Sequence, residues 1–211
     1  MYLPQQFAEA NLDVLHDLIR AHPLGTLVML ADAELCANHI PFLLHHDGGG
    51  RLHGHMSRAN PLWRYFGGAL EALVIFHGPE AYVSPSWYPS RAVDGRVVPT
   101  WNYAVVHAYG TPRAIHDPGW LLAHVTQLTG AHEAGQAQPW RVGTAPKDYV
   151  EQMISGIVGV EIPISRLEGK WKVSQNRKRS DQLGVCAGLQ AQGTDGARAM
   201  ADLVAQRIKA P

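Results

Sequence analysis

The chain has 211 residues, of which 46 % are hydrophobic and only 17 % are charged, against the roughly 25 % charged residues usual in soluble domains. Lys and Arg number 18, as do Asp and Glu, so the formal net charge is zero. That balance excludes a broad electrostatic attraction to nucleic acid. No apolar stretch approaches the ~20 residues of a membrane span. The start, MYLPQQFAEANLD, has neither the basic nor the apolar region of a signal peptide, and Cys36 and Cys186 form no CxxC pair, so a reduced, cytoplasmic protein of one domain (1–211) is expected.

Asn11 is placed to cap a first helix in which Leu12, Leu15, Leu18 and Ile19 make one apolar stripe. Pro23 and Gly25 stop it. Three strands follow, Thr26–Ala31, Leu35–His45 and Leu52–Met56, joined by the turns DAE and DGGG. Asn60 and Pro61 open a short helix. LEALVIFHG and EAYVS read as two strands, and WNYAVVHAYGTPRAI as a long strand bent near Gly110 and Pro112. From residue 117 the pattern turns helical. Asp117 caps a helix with Pro118 in its first turn and Gly130 as its stop. KDYVEQMIS is a further helix, IVGVEIPISRLEG one apolar strand, and the tail carries helices over about 178–190 and 194–209. Strands that run nearly contiguously, with helices at the edges, argue for an α+β chain built on an antiparallel barrel, with 117–211 as its helical extension. No GxGxxG follows a strand and no GxxxxGK[ST] occurs, so a Rossmann site and a P-loop are not expected.

Twelve histidines raise the question of a metal. His53 and His55 share one face of a strand, but no HxxxH and no carboxylate cluster completes a ligand set, so hydrogen bonding on a polar strand face is the expectation and no metal is assigned. No GxSxG elbow supports a serine hydrolase. In HGHMSRANP, Ser57 and Arg58 end a strand where a hydroxyl and a guanidinium can meet a phosphate, beside the helix opening at Asn60. A surface arginine on a turn reads equally well. SPSWY and PTWNY set polar groups beside aromatic rings, as pockets for planar cofactors do and as proline-rich turns over core tryptophans also do. In KWKVSQNR, the residues Lys170, Lys172, Gln175 and Arg177 can bind an anion or an amide-rich ring edge.

Together MYLPQQF, NHIPFLL, HGHMSRANP, ALVIFHGPEAYVSPSWY, VPTWNYAVVHAYG and KWKVSQNR, in this order, resemble the PaiB-like family of FMN-binding split-barrel proteins. The resemblance implies an antiparallel split β-barrel with peripheral and C-terminal helices, a homodimer, and FMN at the dimer interface, as in the similar pyridoxamine-phosphate-oxidase and flavin-reductase barrels. It also implies the family's label of negative transcriptional regulator. Carried onto this chain, it places the phosphate end on His55, Ser57, Arg58 and Asn60. It places ring and ribityl contacts on Ser86, Trp87, Tyr88, Thr100, Trp101 and Asn102, with Lys172, Gln175 and Asn176 closing the site from the partner chain. The glycine-rich loop in HHDGGGRLHG departs from the pattern and has no assigned role. The enzymatic reading is an FMN-dependent oxidoreductase, in which the flavin carries the electrons. The alternatives are a repressor that binds DNA without catalysis, which the charge does not favour, and a haem-binding relative.

Overall fold

The computed structural model describes residues 1–46 and 49–208. Asp47 and Gly48 of the glycine-rich loop lie outside the described residues. The chain forms two compact units that interleave in sequence: the first is Met1–Leu18, His77–His107 and Glu168–Pro211, the second Ile19–Phe76 and Ala108–Leu167. Two long strands, β6 (Ala72–Val83) and β7 (Thr100–Gly110), and the helix α1 (Leu12–Ala21) run from one unit into the other along the chain.

The first unit contains β1 (Ala8–Glu9) and β10 (Arg166–Lys172) beside its parts of β7 and β6, in the order β1-β10-β7-β6. β1 pairs antiparallel with β10, Ala8 opposite Lys170. A short α2 (Arg91–Asp94) follows the aromatic stretch. Two helices close the unit, α5 (Arg179–Gln192) and α6 (Asp195–Gln206). Gly193 adopts φ 72° at the end of α5, a left-handed conformation that suits a residue without a Cβ. The Thr194 side chain then accepts from Ala197 N to start α6. Val185 and Leu189 of α5 and Met200 and Val204 of α6 are fully withdrawn from solvent.

The second unit holds β2 (Leu24–Ala31) and β3 (Glu34–Pro41) beside β6, and a four-stranded sheet in the order β4-β5-β9-β8. Its strands are β4 (Leu43–His45), β5 (Arg51–Ser57), β9 (Ile157–Pro163) and β8 (Arg113–Ile115). The pairings β2–β3, β2–β6, β4–β5, β5–β9 and β8–β9 are antiparallel, with Thr26 opposite His39 and Ile75, and His55 opposite Gly159. Phe42 and Phe76 meet edge to face, ring centroids 6.0 Å apart, in a core shared with Leu27, Leu52 and Ile162. Helices α3 (Pro118–Glu133) and α4 (Lys147–Ser155) complete the unit.

Several expected boundaries shift. The strand Leu35–His45 is two strands, parted at Phe42. The two strands expected over 70–84 are one, because Gly78 continues the strand: a Cβ there would lie 2.8 Å from Leu18 Cδ1 and 3.2 Å from the Ala104 carbonyl oxygen, so the glycine serves close packing rather than a turn. Gly130 does not stop α3, which runs on to Glu133. IVGVEIPISRLEG is β9 and β10, since Ile164 N and Ser165 N leave the ladder to bond the carbonyls of Gly50 and Tyr109.

Candidate functional site

The predicted residues fall into two groups, one in each unit. In the second unit, β5 alternates as its sequence predicts: Leu52, Gly54 and Met56 turn inward, while His53 and His55 stand half-buried on the other face. Ser57 Oγ accepts from Ala59 N at 3.3 Å. Asn60 caps the 3-10 turn Pro61–Tyr65, its Oδ1 accepting from Leu62 N at 3.0 Å, and its Nδ2 donates to Asn38 Oδ1 at 2.6 Å. Asn38, His39, His55, Ser57 and Asn60 are the polar lining of a cavity of about 570 Å³, with Ile40, Met56, Met153 and Ile157 as apolar walls. Among the described residues, no Lys, Arg, Asp or Glu lines it.

Arg58 is engaged elsewhere. Its Nε donates to the Ser155 carbonyl at 2.8 Å and its Nη2 to the Ile157 carbonyl at 2.8 Å, while its own N–H bonds Gly156 O. The arginine expected to face a phosphate stitches the end of α4 to the start of β9, because main-chain carbonyls leaving a helix lack intrahelical donors. Its side chain also borders a second, mostly apolar cavity of about 440 Å³ under α3 and α4.

Behind His55 lies a histidine cluster that the sequence reading left unassigned. His55 Nδ1 and His124 Nε2 are 3.1 Å apart. His124 is 3 % exposed, and burial pushes its imidazole down to about 3, with His55, His53 and His45 adding like-charge repulsion. Its Nδ1 is buried without a hydrogen-bond partner. Trp120 stacks on it at 5.2 Å, one helical turn away, and Gly159 leaves room for that indole: a Cβ there would come within 2.4 Å of Trp120 Cζ3. His53, lowered mainly by burial and then by His45, bonds Glu161 at 3.2 Å, and Arg51 and Arg113 approach the same carboxylate at 3.6 and 3.5 Å. The signal for His124 was the i, i+4 spacing of Trp120 and His124 on one helix face. Among the described residues no three His, Cys, Asp or Glu side chains are set to hold a metal ion.

In the first unit, β7 and β10 bring Thr100, Trp101 and Lys172 together. Lys172 Nζ donates to Thr100 Oγ1 and to the Trp101 carbonyl, each at 2.5 Å. The Trp101 ring is 54 % exposed and meets Tyr82 edge-on at 6.1 Å. The turn after β10 is held from within. Ser174 takes φ 66°, its Oγ accepts from Asn102 Nδ2 at 3.0 Å, and its carbonyl accepts from Gln182 Nε2 at 3.0 Å. The Gln175 side chain bonds Val173 N and the Trp171 carbonyl. The Asn102 and Gln175 amides therefore shape the turn, whereas Asn176 is exposed at its tip. Ser86 Oγ bonds Ser84 Oγ at 2.7 Å. Trp87 lies on α5, where Cβ atoms at Gly188 and Gly184 would come within 2.2 Å of its ring and 2.0 Å of its carbonyl oxygen. Asp181 of α5 accepts from both Ser90 N and Ser90 Oγ, fixing the same turn. Tyr88 is buried, and the Arg177 guanidinium stands 4.8 Å over its ring.

A family model described as "Putative FMN-binding domain" matches residues 1–166. The chain belongs to this family. Uncharacterized protein AN0679 of Emericella nidulans is 36 % identical, over 98 % of this chain and 97 % of the relative. Protease synthase and sporulation protein PAI 2 of Bacillus subtilis is 30 % identical over 99 % of both. Among solved structures, the FAD and heme binding protein from Mycobacterium smegmatis superposes with a TM-score of 0.59 at 18 % identity, covering 78 % of this chain and 73 % of that one, a likeness of fold. The chain is thus a flavin-binding split-barrel protein of α+β class, and FMN is its cofactor.

The donor set fits that ligand. An exposed indole and phenol offer apolar faces to a planar ring. Hydroxyl, amide and imidazole groups line the cavity of the second unit, and each unit by itself thus offers groups that a flavin can use. Among the described residues, no helix is long and apolar enough to cross a membrane.

Proposed function

We propose that the protein is a cytoplasmic, FMN-dependent redox protein that works as a homodimer. The observation that carries this is the exposed Trp101 and Tyr82 pair beside Lys172 and Thr100, a planar face with a cation and a hydroxyl at its edge. Bound FMN supplies one- and two-electron chemistry. In this reading Ser86, Trp87, Tyr88, Thr100, Trp101 and Asn102 frame the ring side. Lys172, Gln175 and Asn176, on the same chain as these, act in trans to Ser57 and Arg58. His55, Ser57 and Asn60 present uncharged donors and acceptors, and Arg58 holds the cavity wall in place. The dimer is supported by the low charge content and by the exposed apolar side chains Tyr82, Val93, Val98 and Trp101.

The name of the Bacillus subtilis relative, a protease synthase and sporulation protein, favours a second reading, a flavin-responsive regulator. The zero net charge sets its expected limit: contact with DNA is weak and insensitive to sequence. Haem is the alternative occupant, since solved structures of this fold include an FAD and heme binding protein and a flavocytochrome. The visible spectrum of the purified protein, followed by titration with FMN, FAD and riboflavin, decides among these. A flavin spectrum with FMN bound most tightly is expected. A Soret band without flavin bands would replace FMN by haem, and a sharp, sequence-dependent gel shift at nanomolar protein would make the regulator a direct DNA binder.

A further inference from the structure

Five basic side chains meet carboxylates: Arg207 meets Glu9, Arg198 meets Asp195, Lys147 meets Glu151, and Arg51 and Arg113 share Glu161. Three cations at and just beyond the end of β10 are different, because they stand together. Among the described residues, Lys170, Lys172 and Arg177 have no carboxylate partner. Aromatic faces stand beside them instead. Lys170 Nζ lies 5.6 Å from the Tyr2 ring and 5.5 Å from the Tyr103 ring, Lys172 Nζ 5.9 Å from Tyr103, and Arg177 Cζ 4.8 Å from Tyr88. Lys170 donates one hydrogen bond, to the Tyr2 carbonyl, and Lys172 two, to Thr100 Oγ1 and the Trp101 carbonyl, so among the described residues these partners are all neutral. The Lys172 ammonium is held below its usual range by burial and then by the charges of Lys170 and Arg177. Mutually repelling cations gathered at the end of β10 and in the turn after it cost stability, and an anion seated among them offsets that cost.

We propose that Lys170, Lys172 and Arg177 form a binding site for a phosphate monoester, with Thr100 Oγ1 and the Asn176 amide as its neutral donors. A phosphate monoester carries close to two negative charges near neutral pH and several acceptor oxygens, which suits three cations better than a single carboxylate does. The expected alternative, a cradle at Ser57 and Arg58, has the Nε–Nη2 edge of Arg58 committed to carbonyls, and among the described residues no Lys or Arg lines the cavity beside Ser57. The ester has two sources. It is the phosphate of FMN, an assignment that rests on the flavin reading above, or it belongs to a second phosphorylated ligand.

The experiment measures FMN, riboflavin and 5′-AMP binding to wild type, to a Lys170→Met/Arg177→Met double variant, to Arg177→Lys and to Arg58→Met. Circular dichroism checks folding. Expected is a wild-type preference for FMN over riboflavin that falls about tenfold or more per cation removed, as for a charge-assisted hydrogen bond. Riboflavin affinity holds, Arg177→Lys retains most of the preference, and added salt shrinks it in wild type. If FMN and riboflavin bind wild type equally while 5′-AMP binds it and not the double variant, the site stands and serves a second ligand. If no flavin binds at all, the flavin reading fails and the 5′-AMP arm alone decides the site. Should the double variant not fold, the Arg177→Lys and Arg58→Met proteins carry the comparison. The proposal is overturned if Arg58→Met abolishes the FMN preference, or if neither FMN preference nor 5′-AMP binding responds to loss of the Lys170 and Arg177 charges.

Discussion

Replacing His124 by phenylalanine should flatten the acid side of the stability curve. In the folded chain His124 is wedged between Trp120 and His55 and its imidazole titrates at about 3, against 6.5 for a free side chain. The unfolded chain therefore takes up a proton between those values that the folded chain refuses. Stability from this residue is whole above about pH 6.5 and drains away as the pH falls, at about 1.4 kcal/mol per pH unit. Between pH 6.5 and 5 the loss from His124 alone comes to about 2 kcal/mol. Phenylalanine keeps the stack on Trp120 but cannot protonate. It leaves His55 Nδ1 without its partner, so the variant starts about 1 kcal/mol lower at neutral pH. His53 and His55, both lowered mainly by burial, remain and still weaken the variant in acid. Urea unfolding followed by tryptophan fluorescence, at about pH 7 and about pH 5, gives both losses. The variant should lose about 2 kcal/mol less than wild type. Equal losses in the two proteins would refute the claim that packing keeps His124 neutral.

Two further outcomes test other parts of the structure. Gly188→Ala would set a methyl within 2.2 to 2.5 Å of Trp87 Cδ2, Cε2 and Cγ; overpacking should cost about 1–3 kcal/mol, read as a lower melting temperature with red-shifted indole emission, and an unchanged protein would show that α5 does not seat Trp87. Mixing Ser57→Asp and Asn176→Asp proteins, each first shown to have lost flavin, through unfolding and refolding should restore roughly a quarter of the wild-type sites if the two groups serve one flavin across a two-fold dimer; no recovery would place both groups in one chain.

Local rules read much of the fold. Period-two alternation marked β5, and Asp117 with Pro118 marked the start of α3, because both depend on neighbours in sequence. The misreadings come from glycine and from apolar continuity. Gly78 looked like a break but is a contact point for Leu18, and Gly130 faces open space and so allows the helix to continue. The turn between β9 and β10 was hidden because Ile164 keeps the apolar run going, and it is made by bonds to Gly50 and Tyr109, far away in sequence. The site divides in the same way. Trp101 and Lys172 could be named from residue type alone, but the carbonyl partners of Arg58 stand 97 and 99 residues further on, and His124 is 69 residues from His55. No spacing rule spans such intervals, so an arginine spent on backbone and one free for a ligand look alike in sequence.

The glycine seat under Trp87 bears on the order in which the protein is made. Trp87 leaves the ribosome about a hundred residues before Gly184 and Gly188, and synthesis runs from the N-terminus. Until α5 has emerged, the indole has no surface to rest on, and Ser90 has no Asp181 to bind its N–H and hydroxyl. The family match itself ends at residue 166, short of this helix. A product cut off there would keep the aromatic turn but not the groove that orients it. The turn therefore gains this seat only in a chain translated past Gly188.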